Sequence, residues 1–297
     1  VAGSEDDQGH PAKGYAMRAL LGIANSIAVV LGAGCCSLLG MLPLVAVLIF
    51  LRDPQYFPTY LLAAVLSAPG LAALFAIYRD HPGLSSASAR ARRQAVDSMT
   101  ERGQSLPDWI AKSYVDSGTV YGFFCAYWRA YKVLALRSWA TLLPLGIVAF
   151  ALIYDLQIAS QLSWGWIMFF PILVCLLLLA QTALASLVLL VEYPRARIRK
   201  VLVNGLLLSV RRWYMLVLSL AVLAGYAWGL MRSPILVALL ATGLIWYLVW
   251  AAVRWQADPF FRQMARESRD PGVQAMYGLP DTGAKGSSFT ALRDYRQ

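Results

Sequence analysis

The chain has 297 residues, 59% of them hydrophobic and 14% charged, with a formal net charge of +10. Soluble domains carry about 25% charged residues, so the composition argues against an ordinary water-soluble fold. The basic residues border long hydrophobic stretches, which matches contact with anionic lipid headgroups better than binding of nucleic acid.

Residues 1–18 read as a polar tail. Its start, Ser4-Glu5-Asp6-Asp7, lacks the basic region of a cleavable signal peptide, so the first span is expected to direct insertion itself. Six apolar stretches follow, at about 20–50, 59–78, 139–154, 164–191, 213–231 and 234–253. All are read as crossings of a hydrocarbon core ~30 Å thick. Pro43 predicts a bend in the first and Pro69-Gly70 a kink in the second. The loop 79–138 separates spans 2 and 3. Its Ser85–Gly103 part reads as a polar helix with Arg93 and Asp97 at i,i+4 spacing.

Farther along that loop, Val120, Phe124, Tyr127, Trp128, Tyr131 and Leu134 recur at helical spacing, with Arg129 and Lys132 off the stripe. This predicts an amphipathic helix over 120–137, lying in the membrane interface or packed on the spans. Asp155 is expected to begin a short outer loop, and Trp164 and Trp166 open span 4 as an aromatic belt. Glu192 closes span 4 and is expected to pair with Arg195 or water. A second basic segment, 195–212, holds Arg197, Arg199, Lys200, Arg211 and Arg212 around an apolar core, Val201 to Val210, and reads as a second interfacial helix. Beyond Arg254 the chain turns polar, and a partly disordered tail is expected over 256–297.

Of the 26 Lys and Arg residues, all but Arg52 and Arg232 fall on one side of these stretches. Basic residues stay on the cytoplasmic side, so both termini are expected there. The expected fold is an all-α polytopic membrane protein. It has six transmembrane helices in a membrane domain over 19–255, two cytoplasmic interfacial helices, and cytoplasmic tails at 1–18 and 256–297.

No ionisable residue falls near the middle of a span, where its cost would demand a function. Gln181-Thr182 is the strongest candidate for a buried polar contact between helices. Cys35, Cys36, Cys125 and Cys175 form no CxxC and read as free thiols. His10 and His81 belong to no metal-ligand cluster, and there is no phosphate-binding loop or GxSxG. No catalytic, cofactor or metal residue is assigned, and an enzyme is not expected. The candidate surface for lipid or partner contact comprises Phe124, Trp128, Arg129, Tyr131, Lys132, Arg197, Arg199 and Lys200.

Four places resemble the YesL-like integral membrane proteins of bacteria. They are Pro69-Gly70-Leu71-Ala72-Ala73-Leu74, Phe123-Phe124 with Trp128-Arg129-Ala130-Tyr131-Lys132, Tyr193-Pro194, and Asn204-Gly205-Leu206-Leu207-Leu208. Their order relative to the spans fits from about residue 20 to 255. Gly205 departs from the family's usual Ala, and the loop at 85–115 is expanded. The resemblance implies a multi-pass protein of the bacterial plasma membrane. It further implies an accessory role beside carbohydrate ABC importers, with permease subunits or a sugar-binding lipoprotein as partners. The residues leave two alternatives open: a stand-alone transporter or channel for a neutral solute, and a membrane enzyme acting on lipid-linked sugar.

Overall fold

The computed structural model describes residues 10–51, 53–81, 92, 94, 96–99, 101, 107, 109–115, 123–162, 165–268 and 270–279. Arg52, Arg93, Val120, Trp164 and the segments 1–9 and 280–297 lie outside them, as does most of the predicted helix at 85–103. The described secondary structure is helical: α1 His10–Gly40, α2 Leu42–Phe50, α3 Phe57–Leu66, α4 Ala68–Asp80, α5 Phe123–Gln161, α6 Trp166–Glu192, α7 Ile198–Arg211, α8 Tyr214–Arg232, α9 Pro234–Ser268 and α10 Pro271–Met276, with a 3-10 turn at Pro54–Tyr56. Helices satisfy every backbone group within one segment, which is what an apolar chain in lipid requires.

Four helices are long and apolar enough to cross a membrane, or up to six if each bent pair forms one span. The first pair, α1 and α2, turns by 72°, and the second, α3 and α4, by 43°. The breaks fall at Met41 and Ser67, each two residues before the proline that predicted the bend. Proline lacks an N–H and clashes with the preceding turn, so the distortion lies upstream of the ring. Ser67 fills the resulting gap, since its Oγ accepts from Leu44 N at 3.1 Å. Wide apolar faces remain uncovered, including Trp166, Ile167 and Phe170 on α6, Ile147 and Phe150 on α5, and Leu236, Leu239 and Leu240 on α9. Exposed apolar area on this scale belongs in lipid, and the chain is a multi-pass membrane protein.

Three expectations are corrected. The predicted interfacial helix and span 3 are a single helix, α5, about 58 Å long at 1.5 Å per residue. Ser138 and Thr141 donate back to Leu134 O and Arg137 O at 2.8 and 2.7 Å, so both hydroxyls are satisfied within the helix. The same helix runs through Asp155 to Gln161, where a loop was expected. Finally, α9 does not end near 253 but continues to Ser268. Trp250, Val253, Ala257, Phe261, Met264 and Ala265 recur every three or four residues and are buried, so the continuation is an amphipathic helix docked on the protein.

At the centre lies α4, all thirteen residues of which are buried. It packs against α1, α5, α6 and α9. Two crossings are close enough to require glycine. A Cβ on Gly34 of α1 would lie 2.7 Å from Gly243 N of α9, and a Cβ on Gly70 of α4 would lie 2.6 Å from Gly40 O. Small residues allow such approach where lipid supplies no hydrophobic drive between helices.

A third glycine sits where α7 lies on α6. A Cβ at Gly205 would fall on Ser186 Oγ and lie 3.2 Å from Thr182 O. Alanine therefore does not fit this crossing unless its neighbours shift. Gly205→Ala is expected to destabilise the protein by ~1–3 kcal/mol through overpacking, read as thermal unfolding in detergent. Ser186 Oγ has no hydrogen-bond partner among the described residues. Adding Ser186→Ala should therefore restore part of the loss.

Candidate functional site

The chemically densest region is a buried ion cluster where α4, α6 and α9 come together. Glu192, the last residue of α6, has a side chain only 1% exposed. Arg92 and the Tyr277 hydroxyl both donate to its Oε1. Arg254 lies 3.5 Å and Arg79 3.9 Å from Oε2. The expected partners were Arg195 or water, whereas the side chains gathered on this carboxylate come from groups up to a hundred residues away.

Arg79 extends the network. It donates from Nε and Nη2 to Asp80, each at 2.7 Å, and from Nη2 to Lys112 O at 3.1 Å. Asp80 also accepts from Tyr114 N at 3.0 Å. Arg92 caps Ala111 O at 2.9 Å, and Ala111 N donates to Glu192 O at 3.1 Å. Arg254 stands over the Phe261 ring, 5.2 Å from its centroid, and Trp109 stacks on Tyr193 at 5.7 Å. Burial, with the adjacent Glu192 carboxylate, pushes the Tyr277 phenol above its ordinary range, so it remains a neutral donor.

Chemically, this arrangement is a clamp. A carboxylate saturated by cations is a weak base, and its low-dielectric surroundings make each partner costly to remove. It joins helix ends to Arg92 and Ala111, between α4 and α5, and to Tyr277 after α10. The sequence reading did not identify Arg79, Asp80, Arg92, Arg254 or Tyr277 as a site. The available signal was the stripe that carries α9 past Arg254, which implies a protein surface beneath it.

The predicted contact residues divide by exposure. Phe124, Arg129 and Lys132 are exposed, while Trp128 and Tyr131 are half-buried. On the same helix Tyr127, Ala130 and Leu134 are fully buried, and Tyr127 donates to Gly70 O at 3.0 Å. One face of 123–136 therefore meets α4, leaving Phe124, Val133 and Leu136 exposed. Arg197 and Arg199 are exposed and Lys200 half-buried, beside exposed Val203, Leu206, Leu207 and Val210. Arg137 ties the two basic segments together by donating to Pro194 O and Ala196 O.

Gln181 and Thr182 are buried where α6, α7 and α9 meet. Gln181 Nε2 donates to Gln256 Oε1 at 2.7 Å, and Gln256 Nε2 donates to Leu208 O at 2.7 Å. Thr182 donates to Leu178 O at 2.7 Å. The four cysteines are free thiols, and no group of metal-ligating side chains occurs among the described residues. The chain matches no protein-family model, no curated protein and no solved structure.

Proposed function

We propose that this chain is an accessory membrane subunit of a bacterial carbohydrate ABC importer, acting through helix contacts and without chemistry of its own. The carbohydrate association rests on the YesL-like resemblance. The contact mechanism rests on one observation: the densest ionic cluster is a closed clamp, while aromatic and basic side chains on α5 and α7 face outward. We place six spans in the plasma membrane with both termini cytoplasmic. The basic asymmetry supports this orientation, as does the gathering of Arg79, Arg92, Glu192 and Arg254 at one place. Affinity purification after gentle solubilisation is expected to recover permease subunits or a sugar-binding lipoprotein. Recovery of this chain alone, with its lipid retained, would overturn the proposal.

A second reading, a conduit for a neutral solute, is favoured by the two bent helix pairs, which touch at Gly40 and Gly70. Interrupted helices are a common way to build a transport site. Solute flux into liposomes containing this chain alone would establish that reading, and no flux across a broad panel of neutral solutes would remove it.

A further inference from the structure

We infer that the groove between α7 and α9 is a binding site for the headgroup of an acidic phospholipid. The groove has a volume of about 180 Å³. That is below the ~300–1,000 Å³ of sites that enclose a whole small molecule, so it suits a headgroup whose chains run outside. Its floor is the Gln256–Leu208 hydrogen bond, continuous with buried Gln181. Leu207, Pro259 and Phe260 form apolar walls, and Arg211 and Arg212 supply two positive charges. Among the described residues no acidic side chain lines it, although Gln263 on its rim donates to Glu267 at 3.0 Å.

The surroundings select a lipid over a soluble anion. Trp213, Tyr214 and Trp255 are exposed at 63%, 45% and 58%, and exposed aromatics of this kind collect at the membrane–water boundary. Arg212 is held in place by Trp255, donating to its carbonyl at 3.0 Å and standing 5.5 Å from its ring centroid. Arg211 is exposed and makes no hydrogen bond or ion pair with another described residue. One arginine is thus preorganised and the other is available for a phosphate. Exposed Val203, Leu206, Leu207 and Val210 continue along the same helix and offer an apolar strip to the acyl chains.

The test uses the full chain purified in neutral detergent and titrated with phosphatidylglycerol, with phosphatidylcholine and with soluble glycerol phosphate. Binding is read by native mass spectrometry and by the shift in unfolding temperature. Phosphatidylglycerol is expected to bind and stabilise, and the other two are not. Arg211→Gln should weaken phosphatidylglycerol binding about fivefold, the effect of one interfacial charge. Arg266→Gln, exposed on α9 but outside the groove, should leave it unchanged. Unfolding without lipid checks that both variants fold. Equal losses in the two variants would mean diffuse attraction to basic residues and would overturn the site. Equal stabilisation by glycerol phosphate would overturn the lipid assignment.

Discussion

Glu192→Ala is expected to be the most damaging single substitution in the chain, at ~3–5 kcal/mol, the cost of stripping the partner from a buried charge. The magnitude follows from burial. The side chains of Glu192, Arg79 and Arg92 are 1%, 2% and 9% exposed, so water cannot replace the lost carboxylate. Three guanidinium groups would be left with Asp80 as their only carboxylate among the described members of the cluster. The damage should spread, because Arg92, Arg254 and Tyr277 connect segments that no continuous helix joins to α6. Glu192→Gln keeps two polar atoms but no charge, and should fall between alanine and the native residue. Arg254→Met should cost less than Arg92→Met, since Arg254 is 17% exposed and stands farther from the carboxylate. Thermal unfolding in detergent, with limited proteolysis after residue 255, measures this series. A series with equal, small effects would show that the cluster does not hold these segments together.

Gly243→Ala should also destabilise the chain, by ~1–3 kcal/mol for one methyl group and more for a larger side chain. The added Cβ would fall on Val30 O and lie 3.2 Å from Gly34 Cα. Both obstacles are backbone, so no rotamer change relieves them and α1 must move off α9. That movement would also disturb Tyr78, whose hydroxyl donates to Gly243 O at 2.6 Å. Gly225→Ala is the matched control. Nothing lies within 4 Å of its Cβ position, and alanine is the better helix former by up to ~1 kcal/mol. The two substitutions should therefore shift the unfolding temperature in opposite directions. A shared direction would mean that helix propensity, and not the crossing with α1, governs the response at Gly243.

Several elements were legible because their signals are local. The apolar stretches identified helices, and Pro43 and Pro69 marked the neighbourhoods of both bends, two residues downstream of the actual breaks. The aromatic stripe at 120–136 identified its helix but not its continuity with span 3. Hydropathy falls at Arg137-Ser138, whereas the helix runs on without a break from Phe123 to Gln161. The Gln181-Thr182 pair stood out as polar residues in an apolar stretch, but Gln256, to which Gln181 donates, was assigned to the tail. The glycines of the crossings went unnoticed, since a glycine becomes a contact only when its opposite number is known.

The sequence by itself determined the solvent this protein needs and the helical character of its chain. Each of these is a sum over neighbouring residues, and lipid leaves few other solutions for such a chain. Only the tertiary structure decided that Arg92, Ala111 and Tyr277 gather around Glu192, and that two helix pairs meet glycine to glycine. Those outcomes depend on groups as distant in sequence as Arg92 and Glu192 or Gly34 and Gly243. A buried charge or a bare backbone finds its partner through packing of the whole chain, and no window along the sequence contains both members.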